Sequence, residues 1–178
     1  CGTYTTPEVA VKNATRAYQE TNAPAVKIEG GKERAHIVEA LTQNSIAVLG
    51  HIGLMPQFLR SEGGYKIRGK DQADIDALVE DAKALEAAGV FAIVVEGVKE
   101  EAAKAITEAV SVPTIGIGAG NVTDGQVLVW SDMFGFFEAF KPKFVKQYFD
   151  GAAKIREGLE NYRNDVKSRA FPSSEYTY

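Results

Sequence analysis

Short apolar runs alternate along this chain with longer stretches in which apolar residues recur every three or four positions. The runs fall at 25–29 (AVKIE), 45–51 (SIAVLGH), 91–96 (FAIVVE), 113–117 (PTIGI) and 126–130 (QVLVW), and each predicts a strand. Residues 7–21 read as a helix, with Thr6 as N-cap, Pro7 at the first helical position, and Val9, Ala10, Ala14, Ala17 and Tyr18 as an apolar face. A second helix is predicted over 33–41. A third covers 71–88, where Ile75, Leu78, Val79, Ala82 and Leu85 share one face and Gly89 follows as terminator. Residues 99–110 form a fourth, with Glu100 and Lys104 placed to pair at i,i+4. The last runs from 144 to about 167 and carries Phe144, Val145, Tyr148 and Phe149. Between strand and helix, residues 55–70 read as a long polar loop with Gly63, Gly64 and Gly69, a length that marks functional or mobile segments.

Regular alternation of strand and helix predicts a parallel α/β sheet. Its strands either form an open doubly wound sheet or are the last five of a (β/α)8 barrel, which needs about 250 residues. The chain has 178 residues, so a barrel reading leaves it about three units short. That length suits a single domain over 1–178, with 45% hydrophobic and 25% charged residues. A formal charge of −4 and a pI near 5.3 argue against nucleic acid as a partner, because a phosphate-tracking surface needs a basic excess. No apolar run approaches the ~18 residues of a membrane span. The single cysteine, Cys1, cannot form an internal disulfide and has no zinc-site spacing around it, so a reducing compartment is the expectation. The chain opens at Cys1 without a start methionine, and the reading expects an N-terminal segment upstream.

Several residues carry candidate chemistry. Strand side chains alternate, so Lys27 and Glu29 share one face, and Val26 and Ile28 share the other. Opposite charges aimed inward are costly unless paired or used. They are either a buried structural ion pair or a cation for an acidic substrate beside a carboxylate for a metal. Glu96 ends an apolar run. It is either a base whose pKa is raised by desolvation or a strand-end carboxylate paired to a nearby lysine or capping a helix. His51 closes its strand and suits a positioning role better than proton transfer, while His36 is assigned to a helix surface. GIGAG at 116–120 is either an anion cradle or a tight strand exit that requires glycine, with Asp124 and Gln126 fixing the turn or touching a ligand. No Walker motif, dinucleotide fingerprint or G-x-S-x-G elbow is present.

Together KIEGG at 27–31, GHIGLMPQ at 50–57, GGYKIRG at 63–69, ALEAAG at 84–89 and GIGAGNVTDGQVLVWSDMFG at 116–135 resemble the ketopantoate hydroxymethyltransferase family, and the resemblance runs from TTPE at 5–8 to the tail. It implies a (β/α)8 TIM barrel of the phosphoenolpyruvate/pyruvate type, of which this chain supplies about the last five units and lacks the N-terminal ones. It implies transfer of a hydroxymethyl group from 5,10-methylenetetrahydrofolate to 3-methyl-2-oxobutanoate, giving 2-dehydropantoate for coenzyme A synthesis, through a magnesium-stabilised enolate. By motif, Glu96 resembles the proton acceptor, Glu29 the magnesium-site glutamate and Lys27 the group that binds the keto-acid carboxylate. His51 is expected near the substrate. The resemblance further implies a cytoplasmic homo-oligomer. The family's two metal-binding aspartates are expected upstream of Cys1. Met55 stands where threonine is usual, and Gly97-Val98-Lys99 departs from the usual residues after the base. Two other readings stay open: a non-catalytic fragment or paralogue, and a related 2-oxo-acid lyase or isomerase.

Overall fold

In the computed structural model, which describes residues 2–178, the strand alternation divides one sheet into two chemically different faces. The strands are β1 (Val26–Glu29), β2 (Val48–Gly53), β3 (Ala92–Glu96), β4 (Thr114–Ile117) and β5 (Gly125–Gln126). All pair in parallel, in the order β1-β2-β3-β4-β5. A doubly wound sheet reverses its strand order at a switch point. Sequential order without reversal is that of consecutive units of a (β/α) barrel, which decides between the two architectures left open above.

One face carries Val26, Ile28, Val48, Ile52, Ile93 and Val95, which join the hydrophobic core. The helices α1 (Pro7–Glu20), α2 (Ala35–Gln43), α4 (Gln72–Ala87) and α5 (Glu100–Ala109) contribute Ala10, Ala14, Ile37, Leu41, Leu78, Leu85 and Ile106 to the same core. Thr6 caps α1 and Asp71 caps α4, each accepting a backbone N–H through its side chain. The register pairs Glu29 with His51, His51 with Val94, and Gly53 with Glu96 on the opposite face, where Lys27 also lies. The charged residues therefore line up along the side of the sheet that the helical core does not occupy.

Several boundaries differ from the sequence reading. β2 starts at Val48 rather than Ser45, because Ser45 has φ of 62° and turns the chain. The polar stretch after β2 contains a 3-10 turn at Pro56–Phe58 and the short helix α3 (Leu59–Glu62), and Arg68 then bridges to Val98 beside the exit of β3. β5 has only two residues, and Trp130 opens the helical turn α6 (Trp130–Met133) instead of ending a strand. Lys104 pairs with Glu108 at 3.8 Å, not with Glu100. The final helix, α7 (Gly151–Ser168), begins seven residues after Phe144. The backbone before it is held elsewhere: the Tyr148 N–H donates to Met133 O and the Gly151 N–H to Phe134 O. Asp150 then caps α7 by accepting from Ala153 N.

The chain divides into two compact units, the first ending at Val127 and the second covering Leu128–Tyr178. The second contains α6, α7 and an edge-to-face pair of Trp130 and Phe136. Cys1 lies outside the described residues. No helix among the described residues is long and apolar enough to cross a membrane.

Candidate active site

The carboxyl ends of β1, β2 and β3 bring four sequence-predicted residues together. Lys27 and Glu29 share a face of β1, and Lys27 Nζ lies 3.7 Å from Glu29 Oε1. The Lys27 side chain is 46% exposed and the Glu29 side chain 4%, so this is a half-open pair and not a sealed one. His51, opposite Glu29 in the register, is buried. Its Nδ1 is 3.4 Å from Lys27 Nζ and 3.8 Å from Glu29 Oε1. Its Nε2 lies 3.1 Å from Glu96 Oε2, but without the alignment of a hydrogen bond, so that buried nitrogen has no hydrogen-bond partner among the described residues. A buried polar atom in that state costs about 1–3 kcal/mol, a cost that functional sites often carry. Glu96 keeps 21% of its side chain open to solvent.

Two residues that the sequence reading did not single out complete the constellation. Gln57 donates its backbone N–H to Glu29 Oε2 at 3.0 Å, and its side-chain oxygen accepts from the Tyr4 hydroxyl at 2.9 Å. Burial first, and then the charge of Glu29, push the Tyr4 phenol above its ordinary value, which keeps it protonated as a donor. Gln57 lies inside GHIGLMPQ, and the Pro56 turn is what brings its N–H under Glu29. Tyr4 had no local signal, because its partner is 53 residues away.

Around this cluster the glycines are structural. Gly97 has φ of 58°, and a Cβ there would meet Leu54 Cβ at 2.8 Å. In the 116–120 segment, Gly116 packs against Thr123 and Gln126, and Gln126 Nε2 donates to Gly120 O at 3.0 Å. Asp124 accepts from both the backbone N–H and the hydroxyl of Thr114. Those two donors, the N–H first, hold its carboxyl below the usual range. Asp124 and Gln126 therefore tie this turn internally. His36 is exposed on α2, as expected.

A cleft of about 290 Å³ beside β1 is lined by Tyr4, Asn13, Val26, Lys27 and Gln57 among others. Its lining includes Lys27 but not Glu29, His51 or Glu96, so the charge cluster, and not this volume, marks the site. Among the described residues no group of three His, Cys, Asp or Glu side chains could hold a metal ion. The buried Glu29 carboxylate offers hard oxygen donors. That is compatible with magnesium, which uses one or two carboxylates together with substrate and water. The arrangement places a cation, a buried carboxylate and a partly open carboxylate around one imidazole. Such a set can bind an acidic substrate and remove a proton from it.

Comparison with known proteins gives the same direction. A family model described as ketopantoate hydroxymethyltransferase matches residues 1–174. The 3-methyl-2-oxobutanoate hydroxymethyltransferase of Aliarcobacter butzleri is 60% identical over 177 residues, 99% of this chain and 66% of its own length. The protein of that name from Nitratiruptor is 58% identical over 177 residues and is covered to 67%. This chain thus spans about two thirds of the length of the curated relatives it matches. Among solved structures, a putative phosphonomutase from Burkholderia cenocepacia aligns with a TM-score of 0.52 at 14% identity, covering 93% of this chain and 65% of that one. At that identity the similarity speaks for the fold alone.

Proposed function

The chain belongs to the ketopantoate hydroxymethyltransferase family, and from that premise we propose that its site transfers a hydroxymethyl group from 5,10-methylenetetrahydrofolate to 3-methyl-2-oxobutanoate, yielding 2-dehydropantoate. The observation that carries the proposal is the convergence of Lys27, Glu29 and Glu96 on His51 at the carboxyl ends of three adjacent strands.

In this reading the half-exposed Lys27 ammonium neutralises the carboxylate of the 2-oxo acid. Glu96 removes the proton from C3, the carbon next to the ketone, and the electron pair left there forms the new C–C bond to the folate-bound one-carbon unit. Water supplies the hydroxyl, the two C–N bonds of that unit break, and tetrahydrofolate leaves. Glu29 is the side chain that would hold magnesium, which when bound acts as a Lewis acid toward the ketone. The Gln57 N–H and the Tyr4 hydroxyl behind Gln57 fix Glu29 in place. No nucleophilic side chain is needed. The protein is expected to work in the cytoplasm as a homo-oligomer, with small molecules as its substrates.

The test is product formation from one-carbon-labelled 5,10-methylenetetrahydrofolate and 3-methyl-2-oxobutanoate, with and without magnesium. Labelled 2-dehydropantoate that requires both substrates and Lys27 supports the proposal. Turnover of the 2-oxo acid with no dependence on folate overturns it in favour of a lyase or isomerase.

A further inference from the structure

The imidazole of His51 touches three charged groups. Its buried Nε2 faces the carboxylate of Glu96 at 3.1 Å without a settled hydrogen bond. Its Nδ1 faces Lys27 Nζ at 3.4 Å. A lysine ammonium can only donate and an ionised carboxylate can only accept. With Nδ1 as the acceptor toward Lys27, the nearer of its two charged neighbours, the ring hydrogen falls on Nε2, the nitrogen 3.1 Å from Glu96 Oε2. A ring nitrogen's role is commonly set by the bond that the other nitrogen makes. Bonds of catalytic groups are often poorly aligned in ligand-free geometry and tighten in the reacting complex. The ring is 1% exposed, so contact with substrate is not its main opportunity.

We propose that His51 is a positioning residue for the base: Lys27 fixes the ring in its Nε2–H tautomer, and Nε2–H holds one oxygen of Glu96 while the other remains free to take the substrate proton. The same side chain that receives the substrate carboxylate thereby sets the orientation of the base. This inference rests on the reading of Glu96 as base, and it adds a link that the family resemblance left without a role. His51 moves no proton itself. The other group facing the ring, Glu29 Oε1 at 3.8 Å, defines the rival arrangement, in which an imidazolium donates to both glutamates.

Two measurements test it. The first needs no turnover: ¹⁵N NMR of the imidazole rings, with a His36→Gln variant to assign the two histidines of the chain. The expected spectrum for His51 has a protonated Nε2 and a bare Nδ1, and Lys27→Met shifts the ring toward a mixture of tautomers. An Nδ1–H ring, or one protonated at both nitrogens, overturns the proposal. The second compares His51→Gln, whose amide reaches the Nε2 position, with His51→Asn, whose amide reaches the Nδ1 position. His51→Asn should lower kcat about 10–100-fold, the usual loss when a group orienting a functional side chain is removed, with little change in KM. His51→Gln should restore most of that loss. Equal losses in both variants, or a loss confined to KM, overturn the positioning role. The ring spectrum of the unsubstituted protein decides the tautomer even where a variant fails to fold. Absence of transfer in the unsubstituted protein overturns the functional reading, and with it the positioning role, whatever the spectrum shows.

Discussion

At Gly116 a single added methyl group would meet Thr123 Oγ1 at 2.5 Å and Gln126 Nε2 at 3.0 Å, contacts that force the turn to move. Both neighbours are held, Thr123 by its bond to Gly125 O and Gln126 by its bond to Gly120 O. We therefore expect Gly116→Ala to lower stability by about 1–3 kcal/mol, as overpacking does, and thermal melting checks this. A wild-type melting temperature would mean that the glycine is not needed for packing. The residue scale is also where the sequence was most readable. Lys27, Glu29 and Glu96 stand out because a charge within or at the end of an apolar strand is conspicuous in one dimension. Gln57 and Tyr4 were not found because their importance lies in a backbone N–H and in a contact across 53 residues, and neither leaves a local pattern. The cradle reading of 116–120 stayed open for a similar reason. Glycine spacing alone does not distinguish a ligand's space from Thr123's.

Elements follow the same logic with larger errors at their ends. The apolar residues Phe144, Val145, Tyr148 and Phe149 have helical spacing, yet the helix waits for the Asp150 cap because the preceding backbone bonds to the α6 turn. Periodicity reports which side chains share a face and says little about where the backbone donors go. Conversely, α4 was placed nearly to the residue, since its cap, apolar face and terminating Gly89 (φ of 93°) all agree. The start of α4 also anchors the polar stretch after β2. Asp74 accepts from Arg68 Nε at 2.8 Å and from the Gly69 N–H. The Arg68 guanidinium is the main cause that holds the Asp74 carboxyl below its ordinary 3.8, with the Gly69 N–H adding to it against a burial cost. A carboxyl depressed in the folded state adds stability above its unfolded pKa and loses that contribution as pH falls through the folded value. Asp74→Asn should therefore melt below the wild type at neutral pH, by on the order of 1 kcal/mol. The gap should narrow as pH drops below 3.8. A gap that is constant with pH would contradict this assignment of the anchor's strength to charge.

For the molecule as a whole, one topological fact organises the rest. Five parallel strands in sequential order put a helix-packed apolar surface on one side and a row of charged side chains on the other. Strand alternation at two-residue spacing places Lys27 and Glu29 on the charged side, and parallel register brings His51 beside Glu29. The next strand adds Glu96. The α/β architecture was legible from the strand–helix rhythm, whereas the choice of barrel units over an open sheet rested on the family resemblance, because rhythm carries no strand order. Proton abstraction by a general base contributes about 10²–10⁴-fold to rate, and here that contribution is assigned to one carboxylate. The most direct test is exchange of the C3 hydrogen of 3-methyl-2-oxobutanoate with deuterated water, followed by ¹H NMR without folate and with magnesium. The account predicts exchange by the unsubstituted protein and a loss of about 10²–10⁴-fold in Glu96→Gln, with the fold retained. Exchange at the wild-type rate in Glu96→Gln would contradict it.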